Sequence, residues 1–446
     1  MGLFSRASRR GNANSDAEAT SLLAEPPATD GQGRRSMDDH RDYLLSMVEP
    51  LAPLGVGLVD AWGLALCEDI KADGDVPPVP VAETDGYAFC AADVAGIPLG
   101  SRPILELAEL AELPTDEGDE PVERAFGPGQ TVAVKAGQAL PAGADTVVST
   151  FDTLVDGTDI KVLVKPAEGD WVRAAGAEAA DGEVLMATGT RLDDRRSALL
   201  AAAGFDRVMV RPRTRVAVAD VVDSSVTASR DDGRARGVGM YMINAAARAD
   251  DATTWRIEID LAQPDAAIER LGDELIRADL VLTVGGLTDD GADPRLVDLL
   301  KQMGEIDVAE VALRPGRQHG FGFIGDEETP VVMMPDEPGA LLAAYHGFAR
   351  PVLRKLMGVE PYAHEPVLCY ADHDFDTEVG ASHVVPAKLT QQRDHYLASA
   401  TVPPRHAQLP GLVAADALVV LPGDKARVYR GEALPAWLLA EPGIVA

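Results

Sequence analysis

The chain has 446 residues, 46% of them hydrophobic and 25% charged, and a net charge of −32. That length exceeds what one hydrophobic core supports, so several domains are expected. The negative field repels phosphate backbones and anionic lipid, which argues against nucleic acid as a partner and against direct membrane insertion.

Cys67, Cys90 and Cys369 show no CxxC spacing. A sparse, odd set fits a reducing cytoplasm better than a disulfide framework or a zinc site. No apolar run approaches the roughly 18–20 residues that span a bilayer. The basic stretch Met1–Arg10 has no long apolar core behind it, so it does not read as a signal peptide. Gly2 is not read as a myristoylation site, because Arg6 stands where Ser or Thr is needed. A cytoplasmic protein is expected.

Residues 1–36 are rich in Ser, Ala, Asn, Gly and Arg without periodicity and read as a disordered tail. A helix is predicted from Ser36–Asp38, with Tyr43, Leu44, Met47 and Val48 at helical spacing. The run Asp75-Val76-Pro77-Pro78-Val79-Pro80 must be extended, since consecutive prolines exclude helix. Short strands between Gly/Pro turns predict a small β-rich domain over 102–170. The flanking segments 37–101 and 171–210 form an N-terminal linking domain, with a helix over Asp193–Ala203.

From 211 to 358 strands alternate with helices. Strands are predicted at Arg215–Val222, Thr254–Ile259, Leu280–Val284 and Val331–Met334, and helices at Met240–Ala249, Asp265–Ala278, after Asp293-Pro294, and at Ala340–Leu356. That order predicts a mostly parallel sheet covered on both faces. Residues 359–446 return to short strands and read as a C-terminal β-barrel domain. The fold class is therefore α/β multidomain.

Several ordered stretches then carry a resemblance. They are Asp85-Gly86-Tyr87-Ala88 followed by Ala91-Ala92-Asp93, Leu140–Val148, Ala187–Leu192, Gly285-Gly286-Leu287-Thr288 with Asp293, Arg314-Pro315-Gly316-Arg317, and Met334–Pro338. In order and spacing, roughly residues 37–446 resemble the MoeA/gephyrin E-domain family, which inserts molybdenum into molybdopterin. The resemblance implies that family's multidomain fold.

The family's pterin site uses groups that hold anions, and several of the matching positions differ here. Asp290 stands where the loop after Gly-Gly has another glycine, and Asp336-Glu337 replace Gly-Asn in a Pro-Gly-Asn-Pro turn. These carboxylates are expected to repel an approaching phosphate, since two like charges at roughly 4 Å repel by about 1 kcal/mol in water. Ala136 replaces a Thr and Ala177 a Glu, Asp220-Val221-Val222-Asp223 replaces Ser-Thr-Gly-Asp, and Arg314 and Arg317 replace lysines. Asp85, Asp223 and Asp293 survive as vestiges of a catalytic set, although Asp293 also suits a helix cap, Asp85 a turn, and Gly285-Gly286 a tight turn.

The expectation that follows is a non-catalytic scaffold without a cofactor. It is most like the gephyrin-like proteins of the bacterial division machinery: a homodimer that binds the FtsZ C-terminal peptide and a membrane receptor's cytoplasmic segment, and is recruited to the septum. By the resemblance, Tyr43, Leu44, Met47 and Pro422 would form the partner groove, with Arg41, Lys425 and Arg427 at its rim. The alternative is a molybdopterin molybdenumtransferase of molybdenum-cofactor biosynthesis that uses magnesium, molybdate and molybdopterin.

Overall fold

The Ser36 hydroxyl accepts a hydrogen bond from Asp39 N at 3.0 Å and so starts helix α1 (Met37–Met47), which buries His40, Tyr43 and Leu44. The computed structural model describes residues 21–95, 102–107, 126–227, 237–402 and 409–439. The chain divides into two compact units. One comprises the chain up to Leu54, Gly63–Cys67 and everything from Val210, and the other Gly55–Trp62 and Glu68–Met209. Helix α1 thus belongs with the C-terminal half, not with the rest of the N-terminal linking segment.

The second unit carries a six-stranded sheet of β1 (Gly86–Phe89), β2 (Ile104–Leu107), β3 (Gln130–Val134), β4 (Thr146–Ser149), β5 (Thr153–Asp156) and β6 (Asp159–Val162), in the order β4-β1-β3-β2-β6-β5. Phe89, Leu105, Val132, Val148 and Val162 pack on one face of it. Helix α2 (Asp194–Ala202) begins where the Asp193 carboxylate caps Arg196 N.

The first unit is built on a second six-stranded sheet. Its strands are β7 (Arg215–Val222), β8 (Thr253–Asp260), β9 (Leu280–Val284), β12 (Gly304–Glu310), β13 (Gln318–Ile324) and β14 (Thr329–Met334), in the order β8-β7-β9-β14-β13-β12. The pairs β7–β8, β7–β9 and β9–β14 are parallel, while β13 runs antiparallel to both β14 and β12. Helices α3 (Val238–Ala249), α4 (Pro264–Leu275) and α5 (Pro294–Met303) connect the parallel strands. Alternate residues feed the two faces: Val216, Val218, Leu282 and Val332 enter one core, and Ala217, Ala219, Val281 and Val331 the other. That period of two, with apolar residues on both sides, is the mark of a sheet buried on both faces.

A hairpin of β10 (Leu287–Thr288) and β11 (Gly291–Ala292) leaves β9. After β14 the chain forms α6 (Pro338–Ala344), a π-helical turn at Tyr345–Ala349 and α7 (Arg350–Leu356). The remaining strands, β15 (Val367–Ala371), β16 (Ser382–Gln392), β17 (His395–Ala400), β18 (Ala417–Leu421) and β19 (Ala433–Leu438), close through the β16–β18 pairing into a five-stranded barrel. The expected α/β multidomain class with a C-terminal β-barrel is what the chain adopts.

The tail is shorter than its composition suggests. Arg35 makes a parallel bridge to Val311, and its guanidinium reaches Asp307 Oδ1 at 3.0 Å. Arg34 pairs with Asp30 at 2.8 Å. Residues 21–36 therefore join the fold through charge pairs that a hydrophobic-periodicity reading does not weigh; residues 1–20 of the proposed tail lie outside the described residues. Among the described residues, no helix is long and apolar enough to cross a membrane.

Candidate functional site at the carboxyl ends of the parallel strands

Strand β7 lies inside the sheet, with β8 on one side and β9 on the other. The chain leaves β7 in one direction and returns on its other side, which makes a topological switch point between β7 and β9. Ligands of open α/β sheets bind in the crevice outside the carboxyl ends of strands at such a point. The register pairs Asp220 with Val284 and Val284 with Met334. The segments that follow, from Asp223, Gly285 and Pro335, therefore emerge on the same rim.

Gly285 and Gly286 have φ of +106° and +75°. A Cβ on Gly286 would lie 2.4 Å from Leu296 Cδ2, and one on Gly285 3.2 Å from Val221 O. Glycine is thus required both by conformation and by the close approach of α5. Asp293 N donates to Gly286 O at 2.7 Å, which brings the start of α5 back onto this turn.

Asp293 caps α5 by accepting from Arg295 N at 2.9 Å. The Arg295 guanidinium bridges two carboxylates, reaching Asp223 Oδ2 at 2.6 Å and Asp293 Oδ2 at 2.7 Å. The Ser225 hydroxyl and Arg295 together hold the Asp223 carboxyl down at about 2. Arg295 also lowers Asp293, and the Arg295 value rises in turn. Deeper in the sheet, Asp220 is buried and its carboxyl is raised by burial, with the Arg256 guanidinium at 3.0 Å opposing that shift.

On the adjoining strand the turn after β14 meets α6. The Glu337 carboxylate caps α6, accepting from Ala340 N at 2.7 Å. The Arg314–Arg317 turn packs against it, since a Cβ on Gly316 would come 2.7 Å from Ala340 Cβ. Arg317 N donates to Asp289 Oδ1 at 3.0 Å and its guanidinium faces Glu310 at 3.3 Å, while Arg314 faces Glu378 at 3.4 Å. Neither arginine is an uncompensated cation.

Of the three carboxylates expected to repel an anion, one is engaged. Glu337 is engaged as a helix cap, and Arg295 neutralises part of the Asp223–Asp293 charge. The carboxylates of Asp290 and Asp336 are exposed and make no hydrogen bond or ion pair among the described residues. Asp223 and Asp293 are brought together as expected, but through Arg295. Arg295 was missed, although its place two residues after a capping Asp was a usable sign. Asp85 lies in the other unit, where its carboxylate accepts from Ala136 N at 2.9 Å and fixes the turn after β3.

The residues expected to bind a partner separate by depth. Tyr43 is 6% exposed and Leu44 1%, both in the main core, so truncating either is a core deletion and not a surface change. Met47 and Pro422 are half-buried.

Residues 35–204 match the family model of the MoeA N-terminal region, domains I and II. By this region and by relatives that align along its length, the chain is similar to the MoeA/gephyrin family. Among its relatives, molybdopterin molybdenumtransferase 1 of Mycobacterium tuberculosis is 28% identical over 429 residues, covering 92% of this chain and 100% of its own length. The molybdopterin molybdenumtransferase of Nostoc is 29% identical over 333 residues, 73% of this chain and 75% of the relative. The crystal structure of the molybdopterin biosynthesis MoeA protein from Pyrococcus horikosii superposes with a TM-score of 0.71 at 21% identity, covering 91% and 99% of the two chains, and agrees in fold. These relatives overturn the expectation of a non-catalytic division scaffold, because the proteins the chain matches along its length are named as enzymes of molybdenum transfer.

Proposed function

We propose that this chain is a molybdopterin molybdenumtransferase, taking molybdate as substrate and molybdopterin as acceptor. The observation that carries the reading is the glycine turn at Gly285–Gly286, set at the switch point of the parallel sheet beside free carboxylates. It occurs in a chain that aligns over 92% of its length with an enzyme of that name. The glycine pair lets the start of α5 fold back onto the rim at the switch point.

Hard cations such as magnesium take carboxylate oxygen and water, but among the described residues no group of three or more acidic, His or Cys side chains is assembled to hold one. Asp290 and Asp336 are the exposed carboxylates of this rim that would each offer such an ion an oxygen. Asp223 and Asp293 already face the Arg295 guanidinium. When bound, the ion would offset negative charge on an approaching phosphate or oxyanion. Arg295 pairs with Asp223 and Asp293 at the start of α5, beside the glycine turn. Asp220, buried and raised, supports the rim from below through Arg256.

The test is calorimetric titration of adenylylated molybdopterin with and without magnesium. Binding that strengthens with magnesium, and weakens about tenfold or more in Asp336→Asn, is expected. No binding at millimolar ligand in either condition would overturn the reading.

A further inference from the structure

A short segment ahead of α1 lies against edge strand β12, held by one carboxylate. The Glu305 Oε2 atom accepts from the Ser21 hydroxyl at 2.6 Å, from Leu22 N at 2.9 Å and from Leu23 N at 3.4 Å. Ala24 N points to Met47 Sδ at 3.3 Å, and the Tyr43 hydroxyl donates to Ala24 O at 3.4 Å. Leu23 packs on the core cluster that contains Tyr43 and Leu44. A cleft of about 390 Å³ remains beside it, lined by Leu23, Lys301, Gly304, Glu305 and Ile306.

Strand β12 ends the sheet order, so among the described residues its outer edge carries no strand partner. Such edges attract extended peptide. Here the peptide does not continue the ladder. Its successive amides converge on a side-chain carboxylate, so the attachment is a point anchor with one leucine beside it. Leu22 is 39% exposed, and Ser21 and Ala24 are exposed as well. An attachment of a few residues on one charged acceptor opens at a small fraction of the global unfolding free energy.

We propose that the surface between α1 and β12, beside this cleft, is a receptor for this chain's own Ser21–Ala24 segment, an exchangeable strap anchored by Glu305. The sequence chemistry it selects is a hydroxyl residue followed by two residues with free amides, the second of them apolar. This role is independent of the molybdenum-transfer reading, and its test uses no pterin.

The experiment uses the full-length chain and a fluorescein-labelled peptide of residues 20–27. In the Leu22→Pro/Leu23→Asp double variant the cis segment loses an amide donor and its apolar contact, while every residue of α1 and β12 that meets the segment is retained. The peptide is expected to bind this variant at least about tenfold more tightly than it binds the parent. Adding Glu305→Ala to the double variant should remove that gain. In a second measurement, Glu305→Gln in the otherwise unaltered chain should speed hydrogen exchange at the Leu22 and Leu23 amides without moving the global melting temperature. Equal peptide affinity for parent and double variant, or no binding to either, would overturn the proposal. So would unchanged exchange at those amides in Glu305→Gln.

Discussion

A carboxylate does different work according to which N–H group lies beside it. Glu337 looks in the sequence like an extra charge in an anion pocket, yet its oxygen caps Ala340 N. Asp336, one residue earlier, is exposed and unengaged among the described residues. The two should therefore separate on mutation. Glu337→Ala should lower stability by about 0.5–2 kcal/mol, the usual cost of a lost N-cap. Asp336→Asn should leave the melting temperature unchanged and reduce magnesium binding, and thermal denaturation with a parallel cation titration reads both. At the opposite side of the rim, the Asp223 carboxyl is held at about 2 against an ordinary 3.8. With the folded value below the unfolded one, its stabilising contribution is present above about pH 4 and is lost as pH falls toward about 2. Arg295→Ala removes one of the two main causes of that depression. The Asp223 carboxyl should then titrate closer to its ordinary range by carbon-13 NMR, and an unmoved value would show that Ser225 alone holds it.

At the scale of elements, regular pieces were legible because pattern and capping agreed. Strand β7 has the predicted bounds, Arg215–Val222, and β9 the predicted Leu280–Val284. The Asp293-Pro294 pair did start a helix, since both its carboxylate and its proline suit a first turn. Strands β12 and β13 went unread. Glu305, Asp307 and Glu310 interrupt the first, and Gly320 and Gly322 the second. Gly322 is there because a Cβ would lie 2.1 Å from Glu305 O, a constraint visible only once the strands are paired. The same pairing places Glu305 beside Ser21, across 284 residues, which no local pattern announces. Helix α1 was legible, but the Tyr43 and Leu44 spacing is equally that of a core face, which is where both side chains lie. Leu44, 1% exposed, should cost about 2–5 kcal/mol when changed to alanine. Urea denaturation would measure that loss, and a value near zero would contradict the burial. Gly286→Ala, which faces both a positive φ and Leu296, should also destabilise the α5 junction, by roughly 1–3 kcal/mol.

In the first unit His40 and His319 are buried and His346 and His364 half-buried. Burial lowers His40 and His346 well below 6.5, His319 to about 4 and His364 to about 3. His346 and His364 face one another at 2.9 Å, and His364 stacks on Trp437. Because these folded values lie below the unfolded one, the unfolded chain binds more protons on acidification. Stability should be highest above about pH 6.5 and fall as pH drops toward 4 and then 3, by up to about 1.4 kcal/mol per pH unit for each histidine. Denaturant melts at pH 7 and pH 5 check the sign, and equal midpoints would show these rings to be protonated or solvated in the fold.

The whole-molecule claim is that the altered rim still serves molybdenum transfer. Its carboxylates are partly engaged in capping and in Arg295, and Asp290 and Asp336 remain exposed. The direct measurement is reconstitution: the purified chain is incubated with adenylylated molybdopterin, molybdate and magnesium, and the product is scored by activation of an apo-molybdoenzyme. The account predicts molybdate-dependent activation that falls about tenfold or more in the Asp290→Asn/Asp336→Asn double variant. No activation by the parent chain, under conditions where the Mycobacterium tuberculosis relative supports it, would contradict the account.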